Sequence, residues 1–341
     1  MIVMFPSRPG SPSLPALPSC PSIPLLPLMP LGQPNPPDPP EPPLPPLPAE
    51  ALHLSFEPGP YRMAMGLTAA SWPTWLEIDE RYAAEMKLRR ELLTEQREEV
   101  LVLTPGSEAA CQETLDRLAV HLPEHYPGWF SRDGNRLVNH LIGETWELDP
   151  LPCAPLEAAA RLVQEDLCLI QLRDGVPVLT AGVVCFPTRW RLRDKIGRPL
   201  VEVHGPVPFY PEKLGRPVDR FMAMVKPGHV AVRLNWSVLE DPTLFQPGGR
   251  FRTDRNGQIT PANAGESLFV RVERQTLTRL PDSGAVLFTI RVHVYPLSRI
   301  TAQREIAARL SEAVRALPPE TARYKSLGRF REALLGYLEG A

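Results

Sequence analysis

Cysteine is scarce in this chain. Its 341 residues include only Cys20, Cys111, Cys153, Cys168 and Cys185, and no two have the spacing of a metal knuckle or of a Cys-x-x-Cys-His run. This scatter argues against a structural zinc site, a disulfide framework and covalent c-type heme attachment. It favours reduced thiols and a cytoplasmic protein.

Other signals are missing as well. The formal net charge is only -2, which gives no general reason to expect nucleic acid or a membrane surface as a partner. No secretory signal and no uninterrupted apolar span is present. The sequence also lacks a Gly-x-Gly-x-x-Gly fingerprint, a P-loop and a Gly-x-Ser-x-Gly elbow. If the protein is redox-active, its electrons are therefore expected to come from another protein.

Proline is abundant instead, and it is concentrated at the start. Of 43 prolines, 19 lie in residues 1–50, where they interrupt every apolar run and exclude a helix. The composition predicts a polyproline-like or disordered tail over 1–60. Two interpretations remain open: a docking segment for a proline-binding module, or a dispensable extension with the functional start at Met63 or Met65.

The rest of the chain divides into three regions by its pattern of predicted helices and strands. We predict a helical region over 61–166, a β-rich core over 167–297 and C-terminal helices over 298–341. The predicted helices lie at 72–99, at 107–122 with Ser107 as N-cap, at 154–166, and at 301–340 with a break at Pro318-Pro319. The predicted strands are 167–172, 178–186, 230–239, 268–277 and 285–295.

This order predicts an α+β fold with an antiparallel sheet, because the last strands are joined by a short hairpin loop at 280–284. Two strands, an excursion and three further strands is also the chain order of a PAS domain. In such domains the excursion packs over one face of the sheet and closes a ligand pocket. We therefore expect residues 187–228 to cover a pocket.

The excursion begins with a basic run. Between Thr188 and Arg198 it carries five basic side chains opposed by a single acid, Asp194; they are Arg189, Arg191, Arg193, Lys195 and Arg198. Arginine forks match carboxylates and phosphates, so the run suits an anionic ligand such as a heme propionate. The alternative is a solvated basic surface.

His204 is the best candidate ligand for a metal or heme iron. It lies in the run Val-His-Gly-Pro-Val-Pro, where the neighbours are apolar and two prolines stiffen the backbone. A neutral imidazole in such a setting suits the proximal side of a b-type heme. The alternative is a core histidine bonded to the backbone. Of the other histidines only His121 and His125 have the spacing of a metal pair, and Pro123 is expected to interrupt the helix such a pair needs.

Polar residues follow one face of the third predicted strand. Arg233, Asn235 and Ser237 alternate with apolar residues, so they share a face and could orient a ligand or instead meet solvent. On the next strand Glu273 and Arg274 point to opposite faces, so only one of them can face a given pocket.

Several long runs in this sequence resemble the heme-binding subunit of heme-dependent oxidative N-demethylases. They are RLVQEDLCLI (161–170), AGVVCFPTRWRLRDKIGRPLVEVHGPVP (181–208), VDRF (218–221), RLNWSV (233–238), DPTLF (241–245) and RVERQTLTRLPDSGAVLFTIRVHVYPL (271–297). The resemblance extends over residues 70–335 and does not include the proline-rich tail.

The resemblance implies a PAS-like domain that binds heme b through a proximal histidine, carried over here to His204. It implies oxidation of an N-methyl group of a small secondary amine such as dimethylamine by dioxygen, with formaldehyde as a product. Electrons would come from NADPH through a separate flavin and iron–sulfur reductase subunit. A tetrahydrofolate-binding subunit is a further possible partner.

Position in these motifs assigns roles to the remaining candidates. Lys195 and Asp194 are expected to form a polar pair near the heme or its access route. Arg189, Arg193 and Arg198 are candidates for propionate contacts, and Arg233, Asn235 and Glu273 for the distal or substrate side. Two alternatives from other classes remain open, which are a heme or small-ligand sensor and a structural subunit without heme.

Overall fold

The fold was analysed in a computed structural model, which describes residues 43–56 and 59–340. Its main feature is a seven-stranded sheet in the order β1-β8-β9-β10-β6-β7-β2, in which every neighbouring pair is antiparallel. Its strands are β1 (Thr68–Ala70), β2 (Leu101–Leu103), β6 (Asp166–Arg173), β7 (Val176–Val183), β8 (Val230–Leu239), β9 (Phe269–Arg279) and β10 (Val286–Pro296). A separate three-stranded sheet consists of β3 (Phe130–Asp133), β4 (Arg136–Asn139) and β5 (Glu144–Glu147).

Helices surround the large sheet. They are α1 (Tyr82–Glu95), α2 (Arg97–Val100), α3 (Glu108–His125), α4 (Pro155–Ala160), α5 (Leu200–Val203), α6 (Arg216–Met224), α7 (Ala264–Ser267), α8 (Leu297–Thr301), α9 (Arg304–Ala316), α10 (Pro319–Tyr324) and α11 (Arg331–Gly340). Short 3-10 turns occur at Trp72–Thr74 and Leu327–Arg329, and a π-turn at Pro211–Gly215. No helix in the described part of the chain is long and apolar enough to cross a membrane.

The five strands of the β-rich core agree closely with the sequence. Strand β8 has the predicted bounds, and β9 and β10 pair over eleven consecutive positions around the predicted hairpin loop. Nearly every residue of β9 is buried, because the sheet is covered on both faces. The structure confirms a mixed α and β architecture with a mostly antiparallel sheet and flanking helices.

The region predicted to be helical is more varied than its sequence suggested. Residues 61–166 contain four helices, but also β1, β2 and the separate sheet. Its strands are only three or four residues long, so a periodicity of two is hard to detect there. In that small sheet Phe130, Leu137 and Trp146 are buried in the same core as α1 and α3.

Helix α3 corrects one expectation. Pro123 does not end it, because the helix continues to His125 and the rings of His121 and His125 stack with centroids 4.2 Å apart. Proline has no N–H for the carbonyl one turn earlier, that of Ala119. Arg132 donates to this carbonyl instead, at 3.4 Å, which compensates the missing helical bond.

The end of the predicted tail is packed against the fold. Phe56 is 1% exposed within the core of the C-terminal helices, and Glu50 is 4% exposed. Tyr295 of β10 donates its hydroxyl to the carbonyl of Ala51 at 2.6 Å. A disordered tail therefore does not extend through residues 43–56, and a start at Met63 or Met65 would remove these contacts. Residues 1–42 lie outside the described part of the chain.

Candidate functional site

A large cavity lies against β8 and β9 and is closed by three segments that are distant in sequence. Its volume is about 1480 Å³, above the roughly 300–1,000 Å³ of most small-molecule sites. The excursion between β7 and β8 covers one side, residues 59–71 lie along the β8 edge, and the region from α9 to α10 closes the end. The cavity therefore has room for a large planar group together with a small molecule.

His204 is held at the C-terminal end of α5 with one ring nitrogen facing away from the backbone. Its Nδ1 lies 2.9 Å from the carbonyl oxygen of Leu200, and its ring stacks on that of Tyr210 with centroids 4.4 Å apart. Nε2 makes no hydrogen bond to any residue of the described chain, and His204 lines the cavity. Burial, partly opposed by the Leu200 carbonyl, lowers the pKa of His204 to about 4. The imidazole is therefore neutral at pH 7, as ligation requires.

The wall beside His204 is mainly apolar. It is formed by side chains of the excursion and of the central strands: Leu200, Val203, Leu214, Phe221, Ile170, Leu277 and Phe288. The helices of the excursion bring Leu200, Val203, Leu214 and Phe221 over the sheet, and sequence patterns within 187–228 did not predict these helices. Such a surface suits the flat apolar body of a cofactor.

Cations line the same cavity in excess over acids. Apart from the exposed Arg62, four of them form no salt bridge to any described carboxylate; they are Lys195, Arg233, Arg250 and Lys325. Arg189 also lines the wall, but Glu240 pairs with it at 3.2 Å. Arg233 combines a buried Nε with the absence of any salt bridge or hydrogen bond to a described residue. Burial lowers its pKa, and nearby Glu273 partly opposes that effect.

The two lysines are held by carbonyls and aromatic rings rather than by acids. Lys195 donates to the carbonyl of Val203 and lies 5.4 Å from the centre of the Trp190 ring. Lys325 donates to the carbonyl of Trp236 at 2.5 Å and lies 5.4 Å from the centre of its ring. Burial lowers the pKa of each lysine to about 8. An anion in the cavity would stabilise their charged forms.

Glu273 faces the excursion side of the sheet with its cross-strand neighbour. Its carboxylate accepts hydrogen bonds from Thr188 at 2.5 Å, Asn235 at 3.2 Å and Gln275 at 2.7 Å. Asn235 is directly opposite Glu273 in the register of β8 and β9, which explains why the pair shares a face. Arg274 points to the other face, where it binds Glu77 at 3.1 Å.

The structure brings together only some of the residues that the sequence singled out. Lys195, His204, Arg189, Arg233, Asn235 and Glu273 all line the cavity. Arg193, Arg198 and Asp194 are exposed and are not part of its wall. Arg193 pairs with Glu99 at 3.2 Å instead, and Asp194 makes no salt bridge with Lys195. The basic run is thus divided between the cavity wall and the surface.

Sequence reasoning missed three cavity residues, Arg250, Tyr324 and Lys325. Arg250 follows a glycine pair in a loop, and its guanidinium carbon lies 4.9 Å from the centre of the Tyr324 ring. Lys325 directly follows α10 in the C-terminal region, almost 100 residues after the end of the excursion. No local pattern distinguishes these three residues from ordinary surface residues, because only the packing of the C-terminal helices places them at the cavity.

Comparison with protein-family models matches residues 66–335 to the family described as haem-dependent oxidative N-demethylase, alpha subunit-like. This match covers most of the chain and the whole cavity wall except His53, Leu54, Ser55 and the residues from 59 to 65. The chain belongs to this family. The family is haem-dependent, and its description as an alpha subunit implies an oxidase system of more than one subunit. The resemblance found in the motifs is therefore confirmed.

Proposed function

We propose that this member of the family binds heme b in the cavity, with His204 as the proximal ligand to the iron. The single observation that carries this proposal is a neutral imidazole that lines the cavity and whose Nε2 makes no hydrogen bond to any described residue. The Nδ1 contact with the Leu200 carbonyl supports it further. Histidine ligands generally donate their second ring N–H in this way, which fixes the tautomer and the ring orientation.

The charge of the wall supports the same cofactor. A heme carries two propionates, and here four cations that are not exposed lack carboxylate partners, while Glu273 is the one acid among the described residues that line the cavity. We assign propionate contacts first to Arg233 and Arg250, since arginine suits planar recognition of carboxylates. Arg189 is a further candidate, although it already pairs with Glu240.

We propose that the central strands form a PAS-like domain. Numbered within the core, they lie in the sheet in the order second, first, fifth, fourth and third, that is β7-β6-β10-β9-β8. The excursion between the second and third strands covers one face and contributes His204. This arrangement supports the PAS-like interpretation that chain order suggested.

The proposed reaction is oxidative N-demethylation of a small secondary amine such as dimethylamine, with release of formaldehyde. Bound heme would supply the dioxygen chemistry, and electrons would come from a separate NADPH-dependent flavin and iron–sulfur reductase subunit. A tetrahydrofolate-binding subunit remains a further candidate partner. Within this chain, Glu273 would accept hydrogen bonds from a substrate ammonium, and Asn235 and Thr188 would orient its carboxylate. Lys195 would act as a polar group beside the His204 segment.

An absorption spectrum of the purified protein tests the proposal. We expect a Soret band in the wild type, a shift on addition of dimethylamine, and at least a roughly tenfold loss of heme occupancy in His204→Ala. His229→Gln is the matched control, because His229 is exposed and outside the cavity. With NADPH and the reductase subunit, dimethylamine should yield formaldehyde.

The outcomes separate the alternatives. Heme binding that depends on His204, without amine turnover in the presence of a competent reductase, would favour a heme sensor. Protein that stays free of heme when produced in heme-replete cells would contradict the proposal and favour a structural subunit. Unchanged heme occupancy in His204→Ala would overturn the assignment of the proximal ligand alone.

A further inference from the structure

A second group of metal-ligating side chains lies on the other face of the sheet. His53, Glu77 and His293 each offer one ligand atom, and these atoms all lie within 4.8 Å of one another. The Nε2 of His53 lies 2.9 Å from Glu77 Oε1, and the Nε2 of His293 lies 3.1 Å from Glu77 Oε2. Ligands about 2.0–2.1 Å from a tetrahedral zinc ion are about 3.3 Å apart.

We propose that His53, Glu77 and His293 form a binding site for a first-row divalent cation such as Zn²⁺, separate from the heme cavity's His204. Two imidazoles and one carboxylate are a ligand set that these metals take, and they leave a fourth position open. His53 also borders the large cavity, so that position has access to water.

The surroundings of His293 support a ligand role. Its Nδ1 lies 3.3 Å from Oε1 of the buried Glu50, so the same ring contacts one carboxylate through each nitrogen. A metal-bound histidine commonly donates its second N–H to a carboxylate, which orients the ring and strengthens it as a ligand. Glu50 is itself fixed by Arg81 at 3.2 Å and Arg299 at 2.9 Å.

The charge of the site allows a dication. Arg274 binds Glu77 Oε1 at 3.1 Å and also donates to the backbone carbonyls of Thr74 and Trp75. Arg274 leaves Oε2 of Glu77 to the two imidazoles, whose Nε2 atoms each lie 3.1 Å from it. A bound metal would replace the protons on Nε2 of His53 and Nε2 of His293, the two atoms that contact Glu77. The hydrogen bond from Nδ1 of His293 to Glu50 would be kept.

The site would join three segments that are far apart in sequence. His53 lies in the segment 43–56, Glu77 precedes α1, and His293 is in the middle of β10. His293 is 1% exposed, whereas His53 and Glu77 are 20% and 22% exposed, which leaves a route for the ion. A bound metal would fasten the segment 43–56 to the sheet.

The test measures zinc in the full-length protein after chelator treatment and equilibrium dialysis against micromolar Zn²⁺, with iron counted separately. We expect about one zinc per chain in the wild type and in His229→Gln. His204→Ala should also keep its zinc, which separates this site from the heme cavity and makes its failure distinguishable from that of the heme proposal. His53→Gln should lose zinc binding at least about tenfold, and Glu50→Gln should weaken it about 10- to 100-fold.

Thermal melting with and without added Zn²⁺ shows whether each variant is folded and whether it binds the metal. Added Zn²⁺ should raise the melting temperature of the wild type and of His229→Gln, and it should not raise that of His53→Gln. The partly exposed His53 is the preferred position for this comparison. A wild type that takes up no zinc, or a His53→Gln variant that binds it equally well, would overturn the proposal. The three side chains would then be an ion-pair network around Glu77.

Discussion

The two faces of the central strands β8, β9 and β10 differ in how buried charge is neutralised. On the face toward α1, Arg291 is fully buried and pairs with Asp79 at 2.6 Å and with Glu85 at 2.7 Å. On the face toward the excursion, Arg233 is buried at its Nε and has neither a salt bridge nor a hydrogen bond to any described residue. Arg291 is on β10 and Arg233 is on β8, two strands of the same sheet with β9 between them.

This contrast separates a buried charge that is neutralised within the fold from one that is not. A buried cation without a partner costs free energy, so proteins rarely keep one for stability alone. Arg291 has its counter-charges within the chain, whereas the cations around Arg233 outnumber the acids that face them. An anionic ligand would supply the missing charge on the excursion side.

The largest expected effect is on the fully paired face. Arg291→Met should lower the free energy of unfolding by about 3–5 kcal/mol, because it leaves Asp79 and Glu85 buried without their cation. Chemical denaturation at pH 7 measures the change. If the loss were below about 1 kcal/mol, Arg291 would not hold the carboxylates in the way its contacts indicate.

On the cavity face, Arg233→Leu should reduce heme affinity without reducing the stability of the ligand-free protein. Ligand-free protein should be as stable as the wild type or more stable, because an unpaired buried guanidinium is replaced by an apolar side chain. Heme affinity should fall about 10- to 100-fold through loss of a charge-assisted contact. Heme titration followed at the Soret band measures it. A strongly destabilised variant with normal heme affinity would remove the difference between the faces.

Lys325 should make the stability of the heme-free protein depend on pH. Burial lowers its pKa from 10.5 to about 8. As the pH rises, Lys325 therefore loses its proton at a lower pH in the folded protein than in the unfolded chain. The stabilising contribution is fully present above about pH 10.5 and is lost as the pH falls through about 8. Lys325→Met should therefore remove roughly 1–2 kcal/mol of the rise in stability between pH 8 and 10.

Denaturation curves at several pH values measure the difference in stability between the wild type and Lys325→Met. The contributions of the other titrating groups are the same in both proteins and cancel in this difference. Heme should flatten the rise in the wild type, because a nearby propionate would restore the pKa of Lys325 toward its ordinary value. If wild type and Lys325→Met had parallel pH profiles, Lys325 would not be the buried cation that its contacts suggest.

The smallest effect is expected outside both faces. Arg193 is 45% exposed at its side chain and pairs with Glu99 on the surface, so Arg193→Ala should change stability by less than about 1 kcal/mol. Heme affinity should be unchanged in the same titration. A loss of heme affinity in Arg193→Ala would instead support the propionate contact that the position of Arg193 in the basic run suggested.

Local sequence predicted the β-rich core well because its strands are long and regular. The alternation in β8 gave the correct bounds and placed Arg233 and Asn235 on one face, and the two prolines marked the segment of His204. The short strands β1 and β2 and the small sheet were not predicted. They depend on pairing with distant segments, as Thr68 does with Val232 across more than 160 residues.

The sequence by itself therefore determined the family, the order of the core strands and the identity of His204 as a candidate ligand, since each is encoded in contiguous motifs. Only the tertiary structure decided which members of the basic run face the cavity and which face solvent. It also placed Arg250 and Lys325 at the cavity and brought His53 and His293 to Glu77. These groups are adjacent because helices and segments pack on a sheet, and packing between distant segments has no local signature.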